Sequence, residues 1–189
     1  RMVDEFSSFA RMPKPVMAIE DLKEIVRTAV FSQRVASPEI EIDIAAPDAA
    51  LLVKCDGRLI AQALGNVFKN AAESIGARLA SEEQNGAPAE KGRIRVSIDA
   101  DDGVARVSVA DNGVGLPKAE RHRLTEPYMT TRTKGTGLGL AIVKKVAEEH
   151  GGGLFFDDCD QLGLTGAIVS LTLPYEAEGR DGLSIAAAE

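Results

Sequence analysis

The sequence predicts a two-layer α+β sandwich: a mixed, largely antiparallel sheet covered on one face by about three helices. Two observations carry that reading. Strand-like and helix-like stretches alternate along the chain. Two of the strand-like stretches meet around Asp101-Asp102-Gly103, a tight-turn sequence that joins antiparallel neighbours. A chain of 189 residues with 44% hydrophobic content is large enough to close around one core.

The elements follow in order. Met2, Phe6, Phe9 and Ala10 stand at helix spacing until Pro13 and Pro15 stop the helix. That short stripe cannot bury itself, so it reads as a frayed terminal helix or as the end of a longer one packed on a partner. Residues 18–35 carry Leu22, Ile25, Val26 and Ala29 on one helical face. Glu39–Ala45 alternates acidic and apolar residues, the pattern of a half-buried strand, and Leu51–Cys55 is a short second strand. Arg58–Ala80 is a long helix with Ile60, Leu64, Val67, Phe68, Ala71 and Ile75 on one face. Ser81–Gly92 is polar and rich in breakers, so it reads as a loop. Arg93–Ala100 and Val104–Ala110 are the strands of the hairpin. Asn112–Gly135 has no clear period and reads as a mobile loop, and Leu138–His150 is a helix closed by Gly151-Gly152-Gly153. Leu154–Phe156 and Ala167–Leu173 are closing strands, and Gly179–Glu189 reads as a tail.

Bulk properties narrow the function. A net charge of −7 gives no general affinity for nucleic acid or anionic membrane. No run approaches the ~20 apolar residues of a membrane helix, and no signal peptide opens the chain. Cys55 and Cys159 are far apart and unpatterned, which fits a reducing compartment.

Three segments carry chemistry. In Lys134–Val143, glycines 135, 137 and 139 run straight into an apolar helical period. A glycine loop feeding a helix N-terminus offers unpaired N–H groups and the positive end of a dipole, a setting for phosphate. The spacing is G-x-G-x-G after a polar stretch, which is neither a Rossmann fingerprint nor a P-loop. On the long helix, Asn66, Asn70 and Glu73 fall opposite the apolar face. The plain reading is a solvated face. The functional one is a pocket wall whose carbonyl oxygen ligates a hard cation such as Mg²⁺, commonly shared with substrate phosphates. Asp111-Asn112-Gly113-Val114-Gly115 reads either as a hairpin turn or as a strand-end carboxylate that meets an exocyclic amine beside glycines that let the chain pass a flat ring.

In this order and spacing, over about residues 35–174, the segments resemble the catalytic ATP-binding domain of sensor histidine kinases. More broadly they resemble the family shared with gyrase-type and Hsp90-type ATPases, the Bergerat fold. Asn66–Asn70 looks like the N box, Asp111–Gly115 the G1 box and Gly135–Leu140 the G2 box. Glu126-Pro127-Tyr128 looks like the F box with Tyr in the usual Phe place, and Gly163–Leu173 with Pro174 resembles the last glycine segment and closing strand. The opening RMVDEFSSFARMPKP resembles the end of a dimerisation helix and is most like nitrogen-regulation kinases of the NtrY type.

The resemblance implies ATP and Mg²⁺ as cofactors, with Asn70 ligating the metal, Asp111 holding the adenine amine, and Gly113 and Gly115 letting the chain approach the purine. It implies that Gly135, Thr136, Gly137, Leu138, Gly139 and Leu140 cradle the phosphates, with Asn66, Lys69, Tyr128 and Lys134 completing the nucleotide site. Leu116–Lys134 would form a lid of net charge +3, suited to a triphosphate. Many family members carry Lys or Arg three residues after the metal Asn; here Glu73 stands there, so Lys69 or Lys134 must neutralise phosphate. The ATPase relatives use a Glu one turn before that Asn to activate water. Here it is Asn66, which cannot take a proton, so phosphoryl transfer is favoured, with Asn66, Asn70 and Lys134 as its machinery. An ATPase module and a nucleotide-binding regulator stay open as alternatives.

The resemblance divides the chain into 1–15, the end of a phosphoacceptor helix with its linker; 16–175, the catalytic domain; and 176–189, a tail. Neither His122 nor His150 lies on a helix resembling an H box, so the acceptor histidine lies N-terminal of Arg1. The implied partners are the protein's own dimerisation domain and a response regulator, with a homodimeric full-length protein. The implied location is the cytoplasm, with room for an inner-membrane anchor upstream.

Overall fold

A computed structural model describes residues 12–86, 88, 90–117, 121–128, 137–159 and 165–176. The expected opening helix over residues 1–12 and the tail over 179–189 therefore lie outside the described residues, apart from Met12.

The chain runs β1 (Ala18–Asp21), α1 (Leu22–Ala36), β2 (Glu41–Ala45), β3 (Leu52–Cys55), α2 (Gly57–Gln84), β4 (Arg93–Asp101), β5 (Val104–Asp111), a 3₁₀ turn (Arg121–Arg123), α3 (Gly139–Glu149), β6 (Gly153–Asp158) and β7 (Ala167–Pro174). Five strands form one sheet in the order β2-β4-β5-β7-β6. Only β2 and β4 run parallel. The path between them passes through β3 and α2, long enough for a parallel return. The mixed, largely antiparallel sheet expected from the sequence is the one observed.

The register places Val96, Val109, Val169 and Phe156 side by side, and next to them Ile98, Val107, Leu171 and Leu154. This apolar face joins the buried faces of the helices in one core that contains Val26, Phe68, Ile75 and Val143. All six residues assigned to the apolar face of the long helix are buried. The other sheet face carries Arg95, Ser97, Asp99, Arg106 and Ser108, and there Ser108 and Ser170 share a hydrogen bond of 2.9 Å.

Three elements differ from the sequence reading. The helix expected over 18–35 begins at Leu22, because Ala18–Asp21 pair antiparallel with β3 in a separate two-stranded sheet. Asp21 then caps the helix, accepting the amide of Lys23 at 3.0 Å. The long helix continues through Ser81-Glu82-Glu83-Gln84, placed in a loop from the sequence, and stops at Asn85. Glu and Gln are good helix formers, and Arg78 pairs with Glu82 one turn on at 2.6 Å. The sequence also gave no sign that β3 pairs outside the main sheet.

Asp56 ties three elements together. One carboxylate oxygen accepts the amides of Arg58 and Leu59 and caps α2; the other accepts the amide of Val16 at 2.9 Å. Its own amide donates to Nε2 of buried His150, whose Nδ1 meets the carbonyl of Val146 at 2.7 Å. His150 therefore closes α3 against its last carbonyls and serves the structure. Burial raises the Asp56 carboxyl, but the amides of Val16, Leu59 and Arg58 and the Arg58 charge outweigh it and hold it below its ordinary value. A depressed carboxylate stabilises above its unfolded value and loses that contribution as pH falls through the folded one. Asp56→Ala should cost ~0.5–2 kcal/mol at pH 7. Urea midpoints of the two proteins should converge below pH ~4. A gap that persists in acid would contradict the role.

Both cysteines are buried thiols. Burial, with the charges of Glu20 and Asp56, pushes the Cys55 thiol up to about 11. Among the described residues no helix is long and apolar enough to cross a membrane.

Candidate nucleotide site

α2 positions the first part of the site. Asn66 and Asn70 are half-buried, although they lie opposite the core face of their helix. The cause is α3, whose first residue sits against them. A Cβ built on Gly139 would stand 3.7 Å from Asn66 Oδ1 and from Asn70 Nδ2, and 3.9 Å from Asn70 Oδ1. The Asn66 amide also donates to the carbonyl of Gln62 at 3.3 Å. Lys69 and Glu73 are exposed.

α3 begins differently from its neighbours. Asp21 and Asp56 cap α1 and α2 with their carboxylates. At α3 the capping position is Leu138, whose side chain makes no capping hydrogen bond. Leu138 is itself fully buried in the core, so it anchors the turn and only its backbone faces the site. Gly137 adopts φ +69°, a left-handed conformation that glycine takes without strain. Its carbonyl accepts the amide of Tyr128 at 3.1 Å, which brings the segment after the 3₁₀ turn back to the glycine loop. Tyr128 itself is exposed and has φ +67°. Lys134, Gly135 and Thr136 lie outside the described residues.

The strand-end segment closes the other side. Asp111, the last residue of β5, is buried and accepts the amide of Gly113 at 2.8 Å. Asn112 does not enter a hairpin. Its side chain accepts the amide of Arg93 at 2.7 Å and donates to the carbonyl of Lys91 at 2.9 Å, which fastens the turn to β4. Gly113 is required for a reason the sequence reading missed. A Cβ there would fall 2.2 Å from Ser74 Oγ and 2.6 Å from the Ser74 backbone, so its bare face abuts α2. Gly115 has φ +76°, so the backbone itself calls for glycine.

Two residues were not singled out from the sequence. Ser74 is buried and accepts the amide of Val114 at 3.1 Å. The available signal was its place one turn after Asn70. Gly166 packs flat on Asp111: a Cβ there would lie 2.0 Å from the Asp111 carbonyl and 2.8 Å from its carboxylate.

α2 therefore runs as a wall between the N-terminus of α3, where Leu138 provides no side-chain cap, and a strand-end carboxylate. Asn66, Asn70 and Ser74 mark that wall over ~12 Å of helix, the scale of a nucleotide rather than of a lone phosphate. This arrangement is that of an ATPase-type nucleotide-binding domain, and the comparisons agree. The family model described as "Histidine kinase-, DNA gyrase B-, and HSP90-like ATPase" matches residues 55–177, and the chain belongs to that family.

Within the family it is similar to sensor kinases. It is 51% identical over 176 residues to nitrogen regulation protein NtrY of Azorhizobium caulinodans, covering 93% of this chain and 22% of that protein. It thus spans about a fifth of that relative's length. Among solved structures, the mycobacterial sensor histidine kinase MprB matches with a TM-score of 0.70 at 29% identity, covering 85% of this chain and 99% of that one. Full-length ShkA in complex with AMPPNP matches with a TM-score of 0.70 at 26% identity, covering 92% of this chain and 35% of that one.

Proposed function

We propose that this chain binds Mg·ATP and presents its γ-phosphoryl to a histidine on a separate dimerisation domain, for relay to a response regulator. The observation that carries the reading is the first turn of α3, which has an apolar residue, Leu138, at its capping position and is set against the carboxamides of Asn66 and Asn70. Orphan N–H groups and a helix dipole bind phosphate. The ATP analogue held by the related ShkA supports the same ligand class here.

The residues fit Mg²⁺ of the shared kind. Among the described residues no group of three His, Cys, Asp or Glu could hold a metal unaided. A carboxamide oxygen at Asn70 is a hard donor, and Mg²⁺ accepts one or two protein oxygens when phosphates supply others. Bound there, the ion would neutralise charge that develops on the phosphates.

The chain's own residues do the rest. The amides of Gly137–Leu140 hold the phosphate end, and Asp111 orients the base. Leu116–Lys134, of net charge +3, covers the triphosphate. Transfer then rests on positioning and charge stabilisation. Asn66 argues against an ATPase: its amide donates to its own helix and cannot accept a proton from water. The expected result is saturable Mg·ATP binding, weak GTP binding and negligible phosphate release by the isolated chain. Brisk phosphate release would favour the ATPase reading.

On this proposal residues 16–175 are the catalytic domain. Residues 1–15 end the dimerisation helix, residues 176–189 are a tail, and the full-length protein is a homodimer.

A further inference from the structure

We infer that Ser74 is a positioning residue for the base-binding turn, an inference that rests on the adenine nucleotide reading above. Ser74 is a buried hydroxyl on the same stripe of α2 as Asn66 and Asn70. Its Oγ accepts the amide of Val114 at 3.1 Å. The contact is close-packed as well as polar, because Gly113 leaves no space between its Cα and Ser74.

From there a chain of backbone links reaches Asp111. The amide of Gly113 donates to Asp111 Oδ1 at 2.8 Å, so the position of Gly113 sets the rotation of that carboxylate. Gly166, flat against Asp111, closes one side of that carboxylate. Asn112 pins the same turn to β4. Asn112 thus fixes the turn to the sheet, and Ser74 fixes it to the helix that carries Asn70.

The hydroxyl therefore bonds a side chain of α2 directly to the base-binding turn. It holds the carboxylate in register with the phosphate end. Removing it takes the acceptor from the part-buried Val114 amide, which must then find another partner. The turn, and Asp111 with it, would then sample orientations that do not meet an exocyclic amine.

The effect should fall on the base and not on the metal. Ser74→Ala should weaken adenosine, ADP and ATP by a similar factor of about tenfold, one hydrogen bond's worth. The ratio of ATP affinities with and without Mg²⁺ should stay at the wild-type value. Hydrogen exchange at the Val114 amide should accelerate, while α2 amides between residues 59 and 70 keep their protection and the Tm moves by only a few degrees.

Calorimetry on both proteins, with amide exchange by NMR, decides the matter. Unchanged adenosine affinity in Ser74→Ala with wild-type ATP binding overturns the inference and leaves the ATP reading standing. Equal losses in the base-dependent and Mg²⁺-dependent parts, with general loss of α2 protection, show a packing role only and also overturn it. Wild-type protein that binds no adenine nucleotide overturns both.

Discussion

Asp111→Asn should weaken adenine nucleotides by roughly 10- to 150-fold, the equivalent of ~1.5–3 kcal/mol for a charge-assisted hydrogen bond. The substitution is nearly isosteric and keeps the oxygen that accepts the amide of Gly113, so the turn should survive it. What it removes is the negative charge at the end of β5, in a site where Asp111 is buried and low dielectric strengthens the bond to an exocyclic amine. GTP should remain a poor ligand of both proteins, since its ring presents a carbonyl where adenine presents an amine. Titration calorimetry with ATP, ADP and GTP checks this. Unchanged ATP affinity would remove Asp111 from the site.

Asn70→Ala should abolish the Mg²⁺-dependent part of ATP binding, while Asn66→Ala should do less. Both side chains lie beside Gly139, and the Asn66 amide donates to the carbonyl of Gln62. The family resemblance gives the metal to Asn70, whose carboxamide oxygen is a hard donor for a cation shared with the phosphates. Alanine is the best helix former, so neither change should disturb α2. Titrations with Mg²⁺ and with chelator separate the two contributions. An equal Mg²⁺ effect in wild type and Asn70→Ala would refute the metal role.

Much of this was legible in the sequence because the site is built from local signals. The long helix showed its two faces by period alone. The glycine loop announced a helix start, and β4–β5 announced themselves by Asp101-Asp102-Gly103. Long-range pairing was harder to read. Ala18–Asp21 looked helical because four residues ahead of a true helix extend its period, and only their partner β3 makes them a strand. The overrun of α2 into Ser81–Gln84 came from reading polar residues as a loop when they are good helix formers with an ion pair to hold them.

Within the site, the sequence found the residues but not always their reasons. Gly113 was expected to make room for a purine. Its close neighbour in the structure is Ser74, a residue 39 positions earlier whose proximity no local pattern reveals. Gly166 was invisible for the same reason: it matters only because Asp111 lies beneath it.

Transfer in trans tests the central claim most directly. The isolated chain is incubated with γ-labelled ATP and Mg²⁺, alone and with a separate protein that carries the upstream dimerisation helices of the full-length kinase. The account predicts no label on the chain, negligible phosphate release, and slow acid-labile labelling of the added helices. Acid-labile label on His122 or His150, or rapid phosphate release without the added helices, would contradict it.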